Sequence, residues 1–235
     1  MKAHGVRRWL RSIVAILWKL AAITVAANVV LVLQLRWFTP PTSAFMLQQR
    51  MAGVRVHYQW VPLERISPYA ALAVISSEDQ KFFDHWGFDL KAIADAIEEN
   101  RSRSNPRGAS TISQQVAKNL FLWPGKSYLR KGIESYLTLL MELLWPKERI
   151  LEVYLNISEM GRGVFGVEAA SRRFFGRSAA RLSMRQAATL AAVLPSPDHM
   201  QADRPSEYVR HRTWQIIQQM NALGGRSFLR AAGMS

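Results

Sequence analysis

The longest apolar stretch of the chain lies near its N-terminus. Between residues 13 and 35 the only charged side chain is Lys19, and residues 20–33 read LAAITVAANVVLVL, with Asn28 as the one strongly polar member. At about 1.5 Å per residue, a helix of this length crosses a hydrocarbon core of roughly 30 Å, and Lys19 is close enough to its end to snorkel. The pattern predicts a transmembrane helix over residues 13–35.

Two other interpretations of this stretch are less favoured. A cleaved signal peptide has a shorter apolar region of about 7 to 15 residues and a small-residue cleavage site, whereas here Arg36, Trp37 and Phe38 follow. A buried core helix is the other alternative, but a segment that is apolar on all sides with a basic flank favours a membrane. We expect an uncleaved anchor with its basic N-terminus in the cytoplasm and residues 40–235 on the far side.

Helix signals dominate the rest of the chain. Apolar residues recur at helical spacing, and side chains that favour helix N-caps stand at Ser67, Asp89, Thr111, Ser127, Ser183 and Ser206. Thr111 with Gln114, and Ser183 with Gln186, fit the capping-box pattern. The chain beyond the anchor is therefore predicted to be mainly α.

These patterns divide the chain into five segments. Residues 1–12 form a basic tail, 13–35 the anchor, 36–62 a mixed, proline-containing linker, 63–225 the helical domain and 226–235 a C-terminal tail. Residues 54 to 58 of the linker alternate weakly between polar and apolar, which suits a short strand.

Composition and charge narrow the classes of function. The absence of cysteine excludes disulfide scaffolds, thiolate metal sites and cysteine nucleophiles. The 31 Lys and Arg against 17 Asp and Glu give a net charge of +14, which predicts attraction to nucleic acid, acidic lipid headgroups or a phosphorylated substrate. Composition alone does not choose among these three.

The first candidate chemical group is a carboxylate pair at a predicted helix end. Residues 78–87 read EDQKFFDHWG. Partial burial beside the aromatic residues would raise the pKa of Glu78 toward the range useful for a general base, and the alternative is a solvated helix end. His85 is expected to be a structural hydrogen-bonding residue, because no second histidine stands at ligand spacing.

Two further helices carry polar stripes. Thr111, Gln114, Gln115 and Lys118 recur at helical spacing and suit an oxyanion or sugar hydroxyls, or else form an ordinary solvated face. On the next helix, Arg130 and Lys131 precede Glu134 by four and three residues, so the cations favour its charged form; a simple intrahelical ion pair is the alternative. Two carboxylates in different environments are typical of glycosyl chemistry.

Taken in order, these segments resemble the peptidoglycan glycosyltransferases of family 51, and most closely the monofunctional biosynthetic transglycosylases. Residues 78–87 are similar to the family's E-D-x-x-F-x-x-H-x-G, and residues 108–119, GASTISQQVAKN, to G-x-S-T-I-x-Q-Q-x-x-K-N. Arg130-Lys131 with Glu134 and Glu142 resembles the third motif. Two more motifs follow in the segments 147–161 and 174–191, so the resemblance runs from about residue 66 to 197.

The resemblance implies a lysozyme-like α-helical domain with a small, partly membrane-embedded jaw, acting on lipid II. It makes Glu78 the base that deprotonates the 4-hydroxyl of the acceptor GlcNAc, and it puts Glu134 near the donor diphosphate. The implied substrate- and diphosphate-binding residues are Ser110, Thr111, Gln114, Gln115, Lys118, Asn119, Lys126, Arg130 and Lys131. The implied reaction is an inverting displacement that gives a β-1,4 bond and undecaprenyl diphosphate.

The resemblance also bears on cofactors, partners and location. No cofactor is firmly required, and a divalent cation, Mg2+ or Mn2+, near Glu134 is left open. The implied partners are lipid II, the growing lipid-linked glycan chain and the membrane, with other cell-wall synthesis proteins left open and no nucleic acid. The implied location is the bacterial inner membrane, with a single pass and an extracytoplasmic catalytic domain. The apolar residues 121–123, beside the basic loop at 101–107, are the candidate membrane contact of the jaw.

Two positions depart from the commoner family pattern. Lys126 stands where many members have Arg, which exchanges a bidentate fork for a point charge, and Gln186 stands where Glu is usual, with only a structural consequence expected. The transpeptidase motifs S-x-x-K and K-T-G do not occur in the chain, so no cross-linking activity is expected. The rival interpretations are a glycan-cleaving enzyme of the lysozyme fold and a membrane-tethered binding protein.

Overall fold

The computed structural model of the protein describes residues 2–101, 108–125 and 127–233, and it divides into two units, one up to Thr39 and one from Pro40 onward. The first unit is a single helix, α1, Lys2–Leu35. Its segment Ile13–Leu35 has a mean hydropathy of 2.2 and is long enough to cross a membrane. The prediction of one N-terminal candidate membrane helix is therefore confirmed, and the helix also continues through the predicted tail.

The second unit is mainly helical, as predicted. Its α-helices are α2 Ala44–Met51, α3 Pro68–Glu78, α4 Leu90–Asn100, α5 Ile112–Phe121, α6 Tyr128–Leu144, α7 Lys147–Ile157, α8 Val167–Phe175, α9 Met184–Val193, α10 Glu207–Ala222 and α11 Arg226–Ala231. Two 3-10 helices span Leu63–Arg65 and Ala179–Arg181. A small sheet joins β1 His57–Tyr58, β2 Glu159–Gly161 and β3 Val164–Phe165, with β3 in the middle, parallel to β1 and antiparallel to β2.

The centre of the unit is built on α3 and α5. Helix α3 reads PYAALAVISSE and is apolar on nearly all sides, which suits a helix surrounded by others. It packs against α9 and α10, while α5 packs against α6 and α7. Leu72 and Ile75 of α3 and Ile112 of α5 are fully buried. This packing fixes the C-terminal end of α3, where Glu78 stands.

Most predicted helix caps are confirmed. The side chains of Asp89 and Ser127 accept hydrogen bonds from the first turns of α4 and α6, and complete capping boxes begin α5 at Thr111 and α9 at Ser183. Gln186 therefore makes the capping contact expected of it. Ser67 differs, because its hydroxyl donates to the carbonyl of Leu182 instead of capping α3. The start of α3 thus depends on Pro68 in the first turn.

Two segment boundaries were wrong. Most of the predicted linker belongs to the folded unit: Met46 of α2 is fully buried, and the Asn156 side chain both accepts from the amide of Val61 and donates to its carbonyl, at 2.9 Å each. The predicted strand is found there as β1. The predicted C-terminal tail contains α11, which packs on α3 through the buried Leu229. Sequence patterns missed both segments because short helices give little periodicity.

Candidate active site

Glu78 lines a large cavity of the described structure. Glu78 is the last residue of α3, and the cavity beside it has a volume of about 1150 Å3. Its lining is strongly polar, and it includes three of the residues named from the sequence, Ser110, Thr111 and Gln115. A cavity of this size with polar walls suits a hydrated ligand such as a saccharide.

A short hydrogen-bond chain orients the carboxylate. The side-chain amide of Gln115 donates to Glu78 Oε2 at 2.8 Å, and the hydroxyl of Tyr154 approaches the Gln115 amide oxygen at 3.4 Å. Tyr154 is buried, and burial together with the charge of Glu78 raises its pKa well above 10. It therefore stays a neutral donor, which fixes the direction in which the Gln115 amide points.

The environment raises the pKa of Glu78 above its usual 4.5. Desolvation by burial is the main cause, and the neighbouring Asp79 adds to it. The hydrogen bond from Gln115 and the charges of Arg212 and Lys118 act in the opposite direction. The sequence prediction of a raised pKa at Glu78 is confirmed. A carboxylate with a raised pKa takes up a proton more readily than a solvated one.

Asp79 has a structural task. Its Oδ2 accepts from the amide of Ile112 at 3.0 Å and its Oδ1 pairs with His85 Nε2 at 2.9 Å, so it joins the end of α3 to the start of α5. His85 is thus a hydrogen-bonding residue, as expected. The two carboxylates of the first motif have separate roles: Glu78 borders the cavity, and Asp79 holds the loop after it.

A buried polar network packs against the loop that follows α3. Glu142 Oε1 accepts from Ser113 Oγ at 2.5 Å and from Lys147 Nζ at 2.8 Å, and Lys147 also donates to the carbonyl of His85 at 2.6 Å. Gly87 lets the loop approach α6 closely. Its φ is +77°, and a Cβ there would lie 2.6 Å from Thr138 Cγ2, so a larger residue would not fit. These contacts tie α5, α6 and α7 to the loop that carries the first motif.

The polar stripe of α5 divides into two parts. The Thr111 hydroxyl donates to the carbonyl of Gly87 and accepts from the amide of Gln114, whose side-chain oxygen accepts from the Thr111 amide in return. Gln114 is buried and serves as a capping residue, so it is not one of the residues that line the cavity. Gln115 lines the cavity, and the charge of Lys118 acts on Glu78. Asn119 lies one turn beyond Gln115 and is half-buried.

The second carboxylate, Glu134, is held between two cations. It is buried in α6, where its Oε2 contacts Arg130 Nη1 at 2.7 Å and its Oε1 contacts Lys131 Nζ at 2.5 Å. Arg130 Nε also donates to the carbonyl of Gly125 at 2.7 Å, which fixes the guanidinium. Arg130 is largely shielded from solvent, whereas Lys131 is half exposed. The predicted grouping of these three residues is confirmed.

Lys118 links the two carboxylate sites electrostatically. Burial lowers its pKa, the positive charges of Arg130 and Lys131 lower it further, and the charges of Glu134 and Glu78 both raise it. Its ammonium lies 5.5 Å from the centre of the Phe45 ring, a cation–π contact. Among the described residues it makes no ion pair within 4 Å. Lys118 is therefore a partly desolvated cation that is available to an anion from outside the protein.

Sequence reasoning missed two residues of the site. Tyr154 was seen only as part of a motif, and Arg212 of α10 was not singled out, although its charge acts on Glu78 and it lines the cavity. The signal for Arg212 was present, because Arg212, Gln215 and Gln219 form a polar stripe at helical spacing. Lys126 and most of the basic loop at 101–107 lie outside the described residues.

The membrane contact predicted at residues 121–123 is wrong at its central position. Leu122 is buried in the core, so it cannot contact lipid, while Trp123 is partly exposed. A broader apolar surface lies on the outer side of α6, formed by Leu129, Tyr136, Leu139 and Leu143. Leu129 and Leu143 are 72% and 71% exposed. We call these four residues the α6 apolar stripe.

The site combines a carboxylate of raised pKa beside a polar cavity with a second carboxylate on α6 that is paired with two cations. The chain belongs to the transglycosylase family, because the family model described as Transglycosylase matches residues 46–221. It is 52% identical over 221 residues to the biosynthetic peptidoglycan transglycosylase of Pseudomonas putida, with 92% of each chain covered. It is 49% identical over 231 residues to the protein of the same description in Pseudomonas syringae pv. syringae, with 96% of each covered.

These relatives fix the class of activity. Peptidoglycan transglycosylases are glycosyltransferases, so the protein is an enzyme that transfers glycosyl groups in peptidoglycan synthesis. The fold of the second unit agrees with a lysozyme-like helical domain, and the chain also has one N-terminal candidate membrane helix. The recognition made from the five sequence motifs is confirmed.

Proposed function

We propose that the protein polymerises lipid II into β-1,4-linked glycan strands. The 4-hydroxyl of the acceptor GlcNAc forms a bond to the anomeric carbon of the donor strand, the bond from that carbon to the diphosphate breaks, and undecaprenyl diphosphate leaves. The hydroxyl proton passes to Glu78. The observation that carries this proposal is the pair of unlike sites joined by Lys118: a carboxylate with a raised pKa, and a cluster of cations suited to a diphosphate.

Glu78 is the proposed general base. Its raised pKa makes it a stronger proton acceptor than a solvated carboxylate. Gln115 donates to Oε2, which leaves Oε1 for the acceptor hydroxyl. Two hydrogen-bonding groups of the cavity wall, Ser110 and Thr111, are the further residues proposed to hold sugar hydroxyls beside it.

The pH dependence of the reaction follows from this assignment. We expect the acid limb of kcat/KM to lie above the usual Glu value of 4.5, because the base must be ionised and burial raises its pKa. Gln115→Leu removes a hydrogen bond that favours the ionised form, so the limb is expected to move to still higher pH. The measurement is the initial rate of lipid II consumption between pH 4 and 8. An acid limb at the same pH in both proteins would contradict the role of Gln115.

The cations are proposed to hold the donor diphosphate. Lys118 is the main candidate because it makes no ion pair within 4 Å among the described residues, and the charges of Arg130 and Lys131, which pair with Glu134, act on it. Asn119, and Lys126 on the strength of its motif position alone, are proposed to bind the diphosphate as well. Charge-assisted bonds of this kind are about twice as strong as neutral ones. They would stabilise the negative charge that develops on the leaving diphosphate.

A divalent cation fits this site only in part. Among the described residues, no group of three acidic or histidine side chains could hold a metal ion, and both oxygens of Glu134 are already contacted by cations. Mg2+ or Mn2+ bound there would need most of its ligands from the diphosphate, as is common for Mg2+. The chemistry it would supply is neutralisation of phosphate charge. The steps at Glu78 and Lys118 are derived without it.

The proposed location is the bacterial inner membrane. Helix α1 would be a single-pass anchor, with the basic N-terminus in the cytoplasm by the positive-inside rule and the catalytic domain outside. The α6 apolar stripe would be the membrane-facing part of the jaw, because an exposed apolar surface on a helix near cations suits a lipid interface. Other cell-wall synthesis proteins remain proposed partners, and nucleic acid is not one.

Deletion of residues 1–38 tests both membrane contacts. The truncated enzyme is expected to keep part of its activity and to bind anionic liposomes through the α6 apolar stripe. Leu129→Ser with Leu143→Ser should then reduce liposome flotation at least fivefold, because two largely exposed leucines lose their transfer free energy, on the order of 2 kcal/mol each at most. Ser substitutions at the exposed Leu47 and Met51 of α2 are the matched control. Unchanged flotation of the α6 variant would contradict the assignment.

The alternative function is cleavage of finished glycan by a lysozyme-like mechanism. Such an enzyme has no diphosphate to hold, so the cations around Glu134 favour the transferase. The absence of S-x-x-K and K-T-G in the chain supports a transferase without transpeptidase activity. The experiment gives purified protein labelled lipid II in one reaction and finished glycan strands in another. Polymer from lipid II supports the proposal, and cleavage of finished glycan without polymer formation supports the alternative.

A further inference from the structure

Helix α10 exposes a ridge of aromatic side chains that the proposed mechanism does not use. Tyr208, His211 and Trp214 follow each other at intervals of three residues, and the rings of His211 and Trp214 stack with their centroids 6.3 Å apart. Tyr208 is 60% and Trp214 is 58% exposed. We call these three residues the α10 aromatic ridge. Large aromatic rings held at a soluble surface often mark a binding site.

The ridge begins beside the cavity that contains Glu78. The same helix lines that cavity with Arg212, Gln215 and Gln219. Tyr208 precedes Arg212 by four residues and His211 precedes Gln215 by four, so these two aromatic side chains each lie one turn before a lining residue on the same face. Trp214 stands beside His211, further round the helix. Tyr208 and His211 therefore continue the cavity wall along α10, and Trp214 joins them through its stacked contact with His211.

The wall between the ridge and Glu78 is suited to hydroxyl groups. Ser76 Oγ and Gln219 Oε1 are buried, line the cavity and have no hydrogen-bond partner among the described residues. Buried polar atoms of this kind are normally paired, so a ligand or water is expected to supply the missing bonds. A saccharide offers many hydroxyls to such a wall, and the apolar face of a sugar ring packs well on an aromatic ring.

We propose that the α10 aromatic ridge binds the growing glycan strand, at sugar units beyond those that react. The proposal rests on the proposed function for the identity of the ligand, a β-1,4-linked amino-sugar polymer. A strand whose diphosphate lies at Lys118 passes Glu78, crosses the cavity and continues over Gln215 onto His211 and Trp214. The ridge holds the strand between successive additions, so it lengthens the product without taking part in the chemistry.

The test combines Tyr208→Ala with Trp214→Ala in the full-length enzyme. The median strand length made from lipid II is expected to fall at least threefold, with a smaller effect on the rate of the first coupling of two lipid II molecules. The single variant Trp214→Phe should keep most of the wild-type strand length, because phenylalanine keeps an aromatic face. Arg181→Ala, an exposed change outside α10 in the 3-10 helix Ala179–Arg181, is the control and should give wild-type strands. Strands of wild-type length from the double variant would overturn the proposal.

A second measurement tests the ridge without catalysis. A soluble β-1,4-linked GlcNAc hexasaccharide should change the tryptophan fluorescence of the wild-type protein, and the change should be lost in Trp214→Phe. If the wild type binds this probe but makes no polymer, the proposed function is wrong, but binding of glycan to the ridge is still supported. If the Tyr208→Ala and Trp214→Ala double variant binds the probe as tightly as the wild type, the ridge does not bind glycan. Loss of liposome binding with unchanged strand length would assign the ridge to the membrane and overturn the proposal.

Discussion

Glu78→Gln is expected to lose lipid II polymerisation by roughly 100- to 10,000-fold, the usual contribution of a general base. The amide keeps the shape of the side chain but cannot accept the hydroxyl proton. The same variant should melt at a higher temperature than the wild type. Because burial raises the pKa of Glu78, its contribution to stability is fully present below the pKa of the unfolded chain and is lost as the pH rises through the folded pKa. Above that folded pKa its ionised form is therefore a cost to stability, which Gln removes.

The measurement pairs the initial rate of lipid II consumption with thermal unfolding, and with binding of the phosphoglycolipid inhibitor moenomycin that family members bind. Binding should persist because the diphosphate-side cations are intact. Asp79→Asn is the informative comparison, since Asp79 holds the amide of Ile112 and the ring of His85. That variant should lose stability, whereas Glu78→Gln should not. A rate loss under tenfold in a folded Glu78→Gln protein would show that Glu78 is not the base.

Lys118→Met is expected to lower kcat/KM for lipid II by roughly 10- to 150-fold, the equivalent of a charge-assisted hydrogen bond of about 1.5 to 3 kcal/mol. Met keeps the length and the apolar contacts of the side chain. Stability should not fall, because the pKa of Lys118 is lowered by burial and by the neighbouring cations, so its charge is a cost to the folded state at neutral pH.

Lys131→Met is the matched control for that substitution. Lys131 carries the same charge on the same side of the site, but it is half exposed and already paired with Glu134, so its loss is expected to cost the reaction less. The readouts are steady-state kinetics and the melting temperature of each variant. Lys118→Met with wild-type kcat/KM would remove this residue from the diphosphate site. A large loss of stability would instead show a structural role.

Much of the fold could be predicted because its signals are local. The caps at Asp89, Thr111, Ser127 and Ser183 each depend on residues within one turn, and the apolar run of α1 needs no partner to be recognised. The contacts of Arg130 and Lys131 with Glu134 are also local, because they lie three and four residues apart on one helix. Such pairs follow from helix geometry alone.

The parts that could not be predicted depend on distant contacts. The sequence gives no sign that Tyr154 orients Gln115, which lies 39 residues earlier, or that α10 brings Arg212 to Glu78. It also could not separate Gln114 from its neighbour: both belong to a polar stripe, and only the packing of α5 shows that Gln114 is buried while Gln115 reaches the carboxylate. Leu122 was misjudged for the same reason, since burial is decided by what packs on a residue.

The most direct test of the account is the stoichiometry of lipid II conversion by the full-length protein in detergent or liposomes. Labelled lipid II is supplied, and new β-1,4 linkages and released undecaprenyl diphosphate are counted in the same reaction. The account predicts one undecaprenyl diphosphate for each linkage formed, strands that a muramidase digests, and no conversion in Glu78→Gln. Lipid II left unchanged by the folded wild-type enzyme, or linkages formed without release of undecaprenyl diphosphate, would contradict it.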